Sequence, residues 1–387
     1  MEVTPLRADE SRLWPVVLQV LPALGSGGVE RGTVEMTAAI ARGGALPLVA
    51  SAGGMMAPAV ERAGGRNVLL PLDTRNPWHI WRNAARLEQV IRQAEVDIVH
   101  ARSRAPAWSA WLAARRSGAH FVTTYHGAYG EDLPWKRRYN AVMARGERVI
   151  AISRYIARLV QQRHGVGPER MRVIPRGVDP AIYDPDSVSV DRMMRLVKAW
   201  RLPDGLRTVT LPARLSRWKG QTVLIEALAR LRSNDVCAVL VGSDQGRRRY
   251  IHELARLADR LRVAERVRIV GHCDDMPAAL RLSDVVVNAS TEPEAFGRVV
   301  IEAQAMARPV IATDHGGAVE TVEHGVTGWR VPPGDADALA AALDAVLAMD
   351  AAERAFRGLQ ARISVETHYT VAAMQEATLQ VYREVLA

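Results

Sequence analysis

A chain of 387 residues is too long for one small core and suits two α/β domains of ordinary size. Hydrophobic residues make up 48% and charged residues 24%, the profile of a soluble globular protein, and no apolar run approaches the ~18–20 residues of a membrane span. The net charge is +9, with 25 Lys and Arg against 17 Asp and Glu in residues 1–190 and 26 against 25 thereafter. That surplus suits an anionic partner such as acidic phospholipid, a phosphorylated glycolipid or nucleic acid, or else marks solvated helix faces of an arginine-rich chain.

The opening MEVTPLRADESRLWP lacks a basic region followed by an apolar stretch, so no secretion signal is expected. Apolar strand-like runs then alternate with helical patterns. The first series is VVLQVL (16–21), LPLVAS (46–51), NVLLPL (67–72), DIVHA (97–101), HFVTTY (120–125), RVIAI (148–152) and RVIP (172–175). Residues 176–190, RGVDPAIYDPDSVSV, hold two prolines and no period, and read as a linker. A second series follows with RTVTLPA (207–213), VCAVLVG (236–242), RVRIVG (266–271), DVVVNAS (284–290), PVIAT (309–313) and GWRVP (328–332), and the chain is helical from about 335. This alternation predicts two doubly wound parallel-sheet, Rossmann-like α/β domains facing across a cleft, where ligands meet strand C-terminal ends. The expected boundaries are 1–180 and 181–365, with 366–387 a helix crossing back to the N-terminal domain. Cys237 and Cys273 sit in strand-like contexts with no metal-binding spacing, and read as core residues.

Four motifs carry chemistry. LGSGGVERG (24–32) follows the first strand and opens a helix, so Gly27 and Gly28 would let backbone N–H groups approach a phosphate or sugar. A dinucleotide fingerprint is excluded, because its last glycine position from Gly25 is Glu30 and no acidic residue ends the second strand. TTYHGAYG (123–130) places His126 after a strand end, in reach of a sugar hydroxyl; a lone histidine is otherwise structural. In ARLSRWKG (213–220), Arg214 and Lys219 flank a strand-to-helix turn where two cations suit a diphosphate clamp or else are solvated surface charges, as Arg217 reads. In NASTEPEAFGRVVIEAQAMARPV (288–310), Glu294 lies on a loop and Glu302 on a helix starting near Gly297, with the N–H groups of Phe296 and Gly297 turned to an anion.

Carried by GGVERGTVEM (27–36), AISRYIARLV (151–160), VIPRGVD (173–179), the E-x7-E segment and GVTGWRVPPGD (325–335), the chain resembles the group-1 (family 4) glycosyltransferases. The resemblance implies the GT-B fold and transfer with retained anomeric configuration. It assigns Arg214 and Lys219 to the diphosphate of a UDP- or GDP-sugar donor, Glu294 to the transferred sugar and Glu302 to the ribose. His126 and the Gly27–Gly28 loop stand on the N-terminal side of the reacting centre. Front-face displacement without a protein nucleophile is implied, so catalysis would rest on positioning and phosphate stabilisation.

Ala307 departs from the family, which usually has glycine there. No catalytic metal is expected, since the D-x-D strings, Asp184-Pro-Asp186 and Asp335-Ala-Asp337, sit in the linker and at a helix start. The opening VLQVLPALGSGGVERGTVEM is similar to envelope enzymes building lipopolysaccharide cores, some of them mannosyltransferases, which implies a glycan or glycolipid acceptor. In LPWKRRYNAVMARGER (133–148), Trp135 and Tyr139 accompany Lys136, Arg137 and Arg138, and Trp108 and Trp111 accompany Arg102, Arg104, Arg115 and Arg116. These suit peripheral attachment of a cytoplasmic protein to the inner face of the cytoplasmic membrane; the aromatics equally suit stacking on acceptor sugars or core packing. Alternatives are a sugar-nucleotide 2-epimerase of the same fold, against which the E-x7-E loop speaks, and a nucleic-acid-binding protein, for which no signature is present.

Overall fold

The computed structural model describes residues 15–25 and 27–387; the expectation of no secretion signal, and Ser26 of the first glycine cluster, lie outside the described residues. Among the described residues, thirteen strands form where the apolar runs predict them. The first seven are β1 (Val16–Val20), β2 (Leu46–Ser51), β3 (Arg66–Leu69), β4 (Ile98–Ala101), β5 (His120–Tyr125), β6 (Arg148–Ala151) and β7 (Met171–Val173). They make one parallel sheet in the order β3-β2-β1-β4-β5-β6-β7. The other six are β8 (Arg207–Pro212), β9 (Val236–Val241), β10 (Val267–Gly271), β11 (Val285–Asn288), β12 (Val310–Thr313) and β13 (Trp329–Val331), parallel in the order β10-β9-β8-β11-β12-β13. Central strands such as β1, β4, β9 and β11 are buried along their whole length, because helices cover both sheet faces.

The two sheets share a device at their centres. Asp97, just before β4, accepts the Val16 N–H at 2.7 Å, and Asp284, just before β11, accepts the Thr208 N–H at 2.7 Å. Each carboxylate satisfies a donor of the adjacent strand where the ladder begins. It thereby marks the pair of strands, β1/β4 or β8/β11, between which the winding reverses. Ligands gather beyond the strand ends at such a reversal.

The chain divides into two compact units. One runs through Pro175 and resumes at Ala373–Ala387; the other is continuous from Arg176 to Ala372. Within the first, the helix Val371–Leu386 is tied down along its length from Ala373 onward. Gln375 bonds Arg42 at 2.8 Å and the Glu35 carbonyl at 2.7 Å, and Tyr382 meets the fully buried His100 ring at 2.7 Å. Glu384 takes Arg148 at 2.9 Å and Arg172 at 2.7 Å. Burial, then the Arg102 charge, holds the His100 pKa well below its usual value, so this ring meets Tyr382 uncharged.

In the second unit the core is built from Val209 and Leu211 of β8 with Leu224, Ile225 and Leu228 of the helix Gln221–Leu228 and the inner face of Ala336–Ala348. The 176–190 stretch is not wholly irregular: Val178 bridges to Thr370, and Pro185–Ser187 makes a 3-10 turn. Ala307 takes the left-handed conformation (φ 51°) that the expected glycine would take, so the turn survives with a strained alanine.

Candidate active site

At the reversal in the second sheet, the ends of β8 and β11 open a pocket of about 220 Å³. Its walls include Arg214 and Lys219 after β8, Asn288, Ser290 and Glu294 after β11, and Arg298. Lys219 closes a 3-10 turn, Arg217–Lys219, and the following helix starts at Gln221. Gly220 makes this close approach possible: its φ is 71°, and a Cβ there would fall 1.9 Å from the Ala289 carbonyl oxygen. Buried Gln221 donates to the Arg214 carbonyl at 3.0 Å, and Thr291 N–H donates to the Trp218 carbonyl at 2.8 Å, so both loops are mutually fixed.

The sequence-assigned residues meet here in an arrangement with its own electrostatics. Lys219 Nζ stands 2.7 Å from Glu294 Oε1, each side chain 14% exposed, and 4.2 Å from the Trp218 ring centre. Ser290 Oγ also donates to Glu294, and Asn288 contributes a further side-chain hydrogen bond. Burial alone would push the Glu294 carboxyl up; the Lys219 charge and these hydrogen bonds outweigh it and hold the group below the usual range. Burial lowers the Lys219 ammonium, partly opposed by Glu294 and reinforced by Arg214. Arg214 itself is exposed at the pocket edge. Arg217 is exposed as expected, though paired with Glu253.

Gly297 takes φ 79° and precedes the helix Arg298–Ala305, whose N-terminus has no side-chain cap. Phe296 is buried, its ring edge-on to Tyr369 at 5.9 Å. Glu302, only 6% exposed, is engaged by Arg298 at 3.0 Å, and it is Arg298 that lines the pocket. Arg298, Asn288 and Ser290 were not singled out from sequence; the signal available was their place in NAS and FGR, at a strand end and a helix start. The turn after β12 also supports the site: Gly317 N–H donates to the Glu294 carbonyl at 2.8 Å.

Gly27, Gly28 and His126 belong to the first unit. Gly27 caps the helix Gly28–Arg42 without a side-chain bond, and Glu30 folds back against it: a Cβ on Gly27 would fall 2.3 Å from Glu30 Oε2. His126 follows β5, and its backbone bonds the Tyr129 hydroxyl. That loop is held by Arg163 donating to the Tyr129 carbonyl at 2.6 Å, by Arg104 3.9 Å over the Tyr129 ring, and by the buried His164–Glu131 pair at 3.0 Å.

The basic and aromatic segments separate into two kinds. Arg145 packs over Trp108 at 5.3 Å and Trp111 at 4.3 Å, and Trp108 Nε1 donates to the Tyr139 carbonyl. Trp135 stays 64% exposed, while Lys136 pairs with Asp132 and Arg137 donates to the Arg163 carbonyl. A second exposed pair, Trp78 and Trp81, stacks at 5.5 Å near the start of the helix Pro77–Gln93. Three of the four D-x-D carboxylates have structural partners: Asp184 pairs with Arg362 and Asp337 with Arg230, and Asp335 caps Ala336–Ala348. Among the described residues, no cluster of three or more His, Cys, Asp or Glu forms, and no helix is long and apolar enough to cross a membrane.

Comparison with known proteins gives this geometry a family. A model described as Glycosyltransferase Family 4 matches residues 26–182, and one described as Glycosyl transferases group 1 matches residues 207–349. A glycosyltransferase from Rickettsia africae ESF-5 is 34% identical with a TM-score of 0.89, covering 97% of this chain and 99% of that one. This chain belongs to the group-1, family-4 glycosyltransferases.

Among the other relatives of this chain is the D-inositol 3-phosphate glycosyltransferase of Salinispora tropica, 33% identical over 71% of this chain and 62% of that one. A GDP-mannose-dependent alpha-(1-6)-phosphatidylinositol monomannoside mannosyltransferase of Mycolicibacterium smegmatis is 30% identical over 68% of this chain and 71% of that one. The chain spans about six-tenths of the length of the D-inositol 3-phosphate glycosyltransferases it matches. HepE of Anabaena, solved with UDP and glucose, is 26% identical with a TM-score of 0.85, over 96% of this chain and all of that one. The fold is thus GT-B, as the resemblance implies, with the two Rossmann-like domains that the alternation of strands and helices predicts.

Proposed function

We propose that the protein moves a hexose, with retention, from a UDP- or GDP-sugar to a glycan or glycolipid acceptor of the cell envelope, lipopolysaccharide included. The observation that carries this is the Arg214–Lys219–Glu294 cluster at the β8/β11 reversal. Two cations and the helix start at Arg298 take the charge of the departing diphosphate, and no metal is needed for that task. Glu294 turns from Lys219 to a hydroxyl of the transferred sugar, and Glu302, oriented by Arg298, takes the ribose diol. His126 and the Gly27–Gly28 loop serve the acceptor side. Glu294 is thereby committed to that sugar hydroxyl and not to nucleophilic attack, with Ser290 and Asn288 still holding its carboxylate. The departing phosphate therefore receives the acceptor proton on the same face.

Support for the donor comes from HepE, solved with UDP and glucose, and from the GDP-mannose-dependent relative. Support for a phosphorylated or lipid-linked acceptor comes from the excess of basic residues before residue 190. The exposed tryptophans among arginines favour peripheral attachment to an anionic membrane face.

A thermal-shift screen over UDP-, GDP- and ADP-sugars tests the reading. One nucleotide series should stabilise the wild type and not Lys219→Ala, and transfer should persist in EDTA. Conversion of the sugar nucleotide without any acceptor would instead identify an epimerase.

A further inference from the structure

The loop that carries Glu294 leaves the sheet where the β11/β12 ladder ends, at Asn288 opposite Ala312. Two residues on, the carbonyl of Ser290 has lost its ladder partner while Ser290 itself remains 1% exposed. A buried carbonyl in that position needs donors. Thr313 Oγ1 supplies one at 3.0 Å and the His315 ring supplies the other, with Nε2 at 2.8 Å. Since a carbonyl only accepts, the ring proton must sit on Nε2.

We infer that His315 is a positioning residue for the sugar half of the donor, acting through Ser290 on Glu294. This rests on the reading of the pocket as a nucleotide-sugar site. Fixing the Ser290 peptide fixes the direction of Ser290 Oγ, which donates to Glu294 Oε1, the same oxygen that Lys219 approaches at 2.7 Å. The far end of the loop is pinned by the same turn, through Gly317 N–H to the Glu294 carbonyl at 2.8 Å. Gly316, at φ 63°, permits this contact, since a Cβ there would fall 2.4 Å from that carbonyl oxygen. His315 is thus the side chain by which one short turn sets both the backbone and the carboxylate that faces the sugar. Its ring is hydrogen-bonded to the Ser290 carbonyl and not to either proposed phosphate-binding cation, which separates its effect from theirs.

The test is calorimetric binding of UDP-glucose beside UDP, and of GDP-mannose beside GDP, to the full chain and its variants. For whichever pair the wild type binds, His315→Ala should weaken the nucleotide-sugar about fivefold, the scale of one lost hydrogen bond, and leave the bare nucleoside diphosphate within twofold. His315→Gln, whose amide nitrogen reaches the Nε2 position, should restore most of the loss; His315→Asn, one methylene shorter, should not. The Gln and Asn pair carries the comparison should the alanine variant fail to fold. Equal loss for sugar nucleotide and bare nucleotide, no loss at all, or Gln behaving as Asn would each overturn the inference. Wild-type protein binding neither pair would overturn the nucleotide-sugar reading itself, and the inference with it.

Discussion

Lys219 and Glu294, 75 positions apart in sequence, neutralise one another at 2.7 Å inside a pocket whose proposed ligand needs both. Removing one partner of such a buried pair leaves the other charge uncompensated. A diphosphate can compensate Lys219, so the ligand and Glu294 compete for the same ammonium.

Glu294→Gln should therefore tighten binding of bare UDP or GDP by about fivefold, roughly 1 kcal/mol, while sugar transfer falls on the order of a hundredfold. Calorimetry with the nucleoside diphosphate and initial rates with the sugar donor read the two effects separately. Weakened nucleotide binding in this variant would contradict the competition.

Burial, then Arg214, lowers the Lys219 pKa from its ordinary 10.5, and donor binding needs the charged form. As pH rises through that lowered value the ammonium loses its proton, so the alkaline limb of kcat/KM should fall below 10.5. Arginine stays charged across this range. Lys219→Arg should push the limb upward, whatever it costs in rate; a pH profile identical to wild type would count against Lys219 as the titrating group.

Ala307 holds a left-handed φ of 51°, a conformation glycine adopts without strain. Ala307→Gly should raise stability by about 0.5 kcal/mol, the relief of left-handed strain less the added freedom of the unfolded chain. Chemical denaturation would show it as a higher midpoint at unchanged slope.

Hydrogen bonds from Arg172, then Arg148, hold Glu384 below the usual carboxylate range. Its folded pKa is depressed, so its contribution is complete above the unfolded value of about 4.3 and vanishes as pH falls through the folded one. Glu384→Gln should cost about 1 kcal/mol at pH 7, in line with a partly exposed pair, and progressively less below pH ~4. A gap between variant and wild type that persists in acid would speak against the ion pairs.

Trp78, Trp81 and Trp135 are 62%, 52% and 64% exposed. Changing all three to Ser should reduce flotation with phosphatidylglycerol vesicles about tenfold, and adding salt should weaken what remains. Flotation equal to that of the wild type would dismiss membrane attachment through these rings.

The central strands were legible because parallel strands covered on both faces read as unbroken apolar runs, as VCAVLV does for β9, while the outer β3, β7, β10 and β13 are shorter or less buried and carry an arginine. The pocket was legible where its residues stand beside glycines at strand ends, as Lys219 does beside Gly220. Less visible were relations set by packing. Nothing local in SRWKG announces that Lys219 meets Glu294, or that Arg298 takes Glu302. Trp78 and Trp81 have the spacing of a core stripe, yet Ala84, Leu87 and Ile91 take the buried face of their helix. Glu30 broke the dinucleotide pattern in sequence, but only the structure shows its carboxylate folded onto Gly27.

The clasp of His100 with Tyr382, and of Arg148 and Arg172 with Glu384, also bears on how the chain is made. Synthesis proceeds from the N-terminus, and domains generally fold as they emerge. Arg176–Ala372 is continuous and has all its residues once Ala372 has left the ribosome. The first sheet, although translated earlier, lacks its last helix until Ala373–Ala387 have been added. The unit begun first is thus completed after the second, and a chain stopped at Ala372 would carry a finished second unit and a first unit with its flank open to solvent.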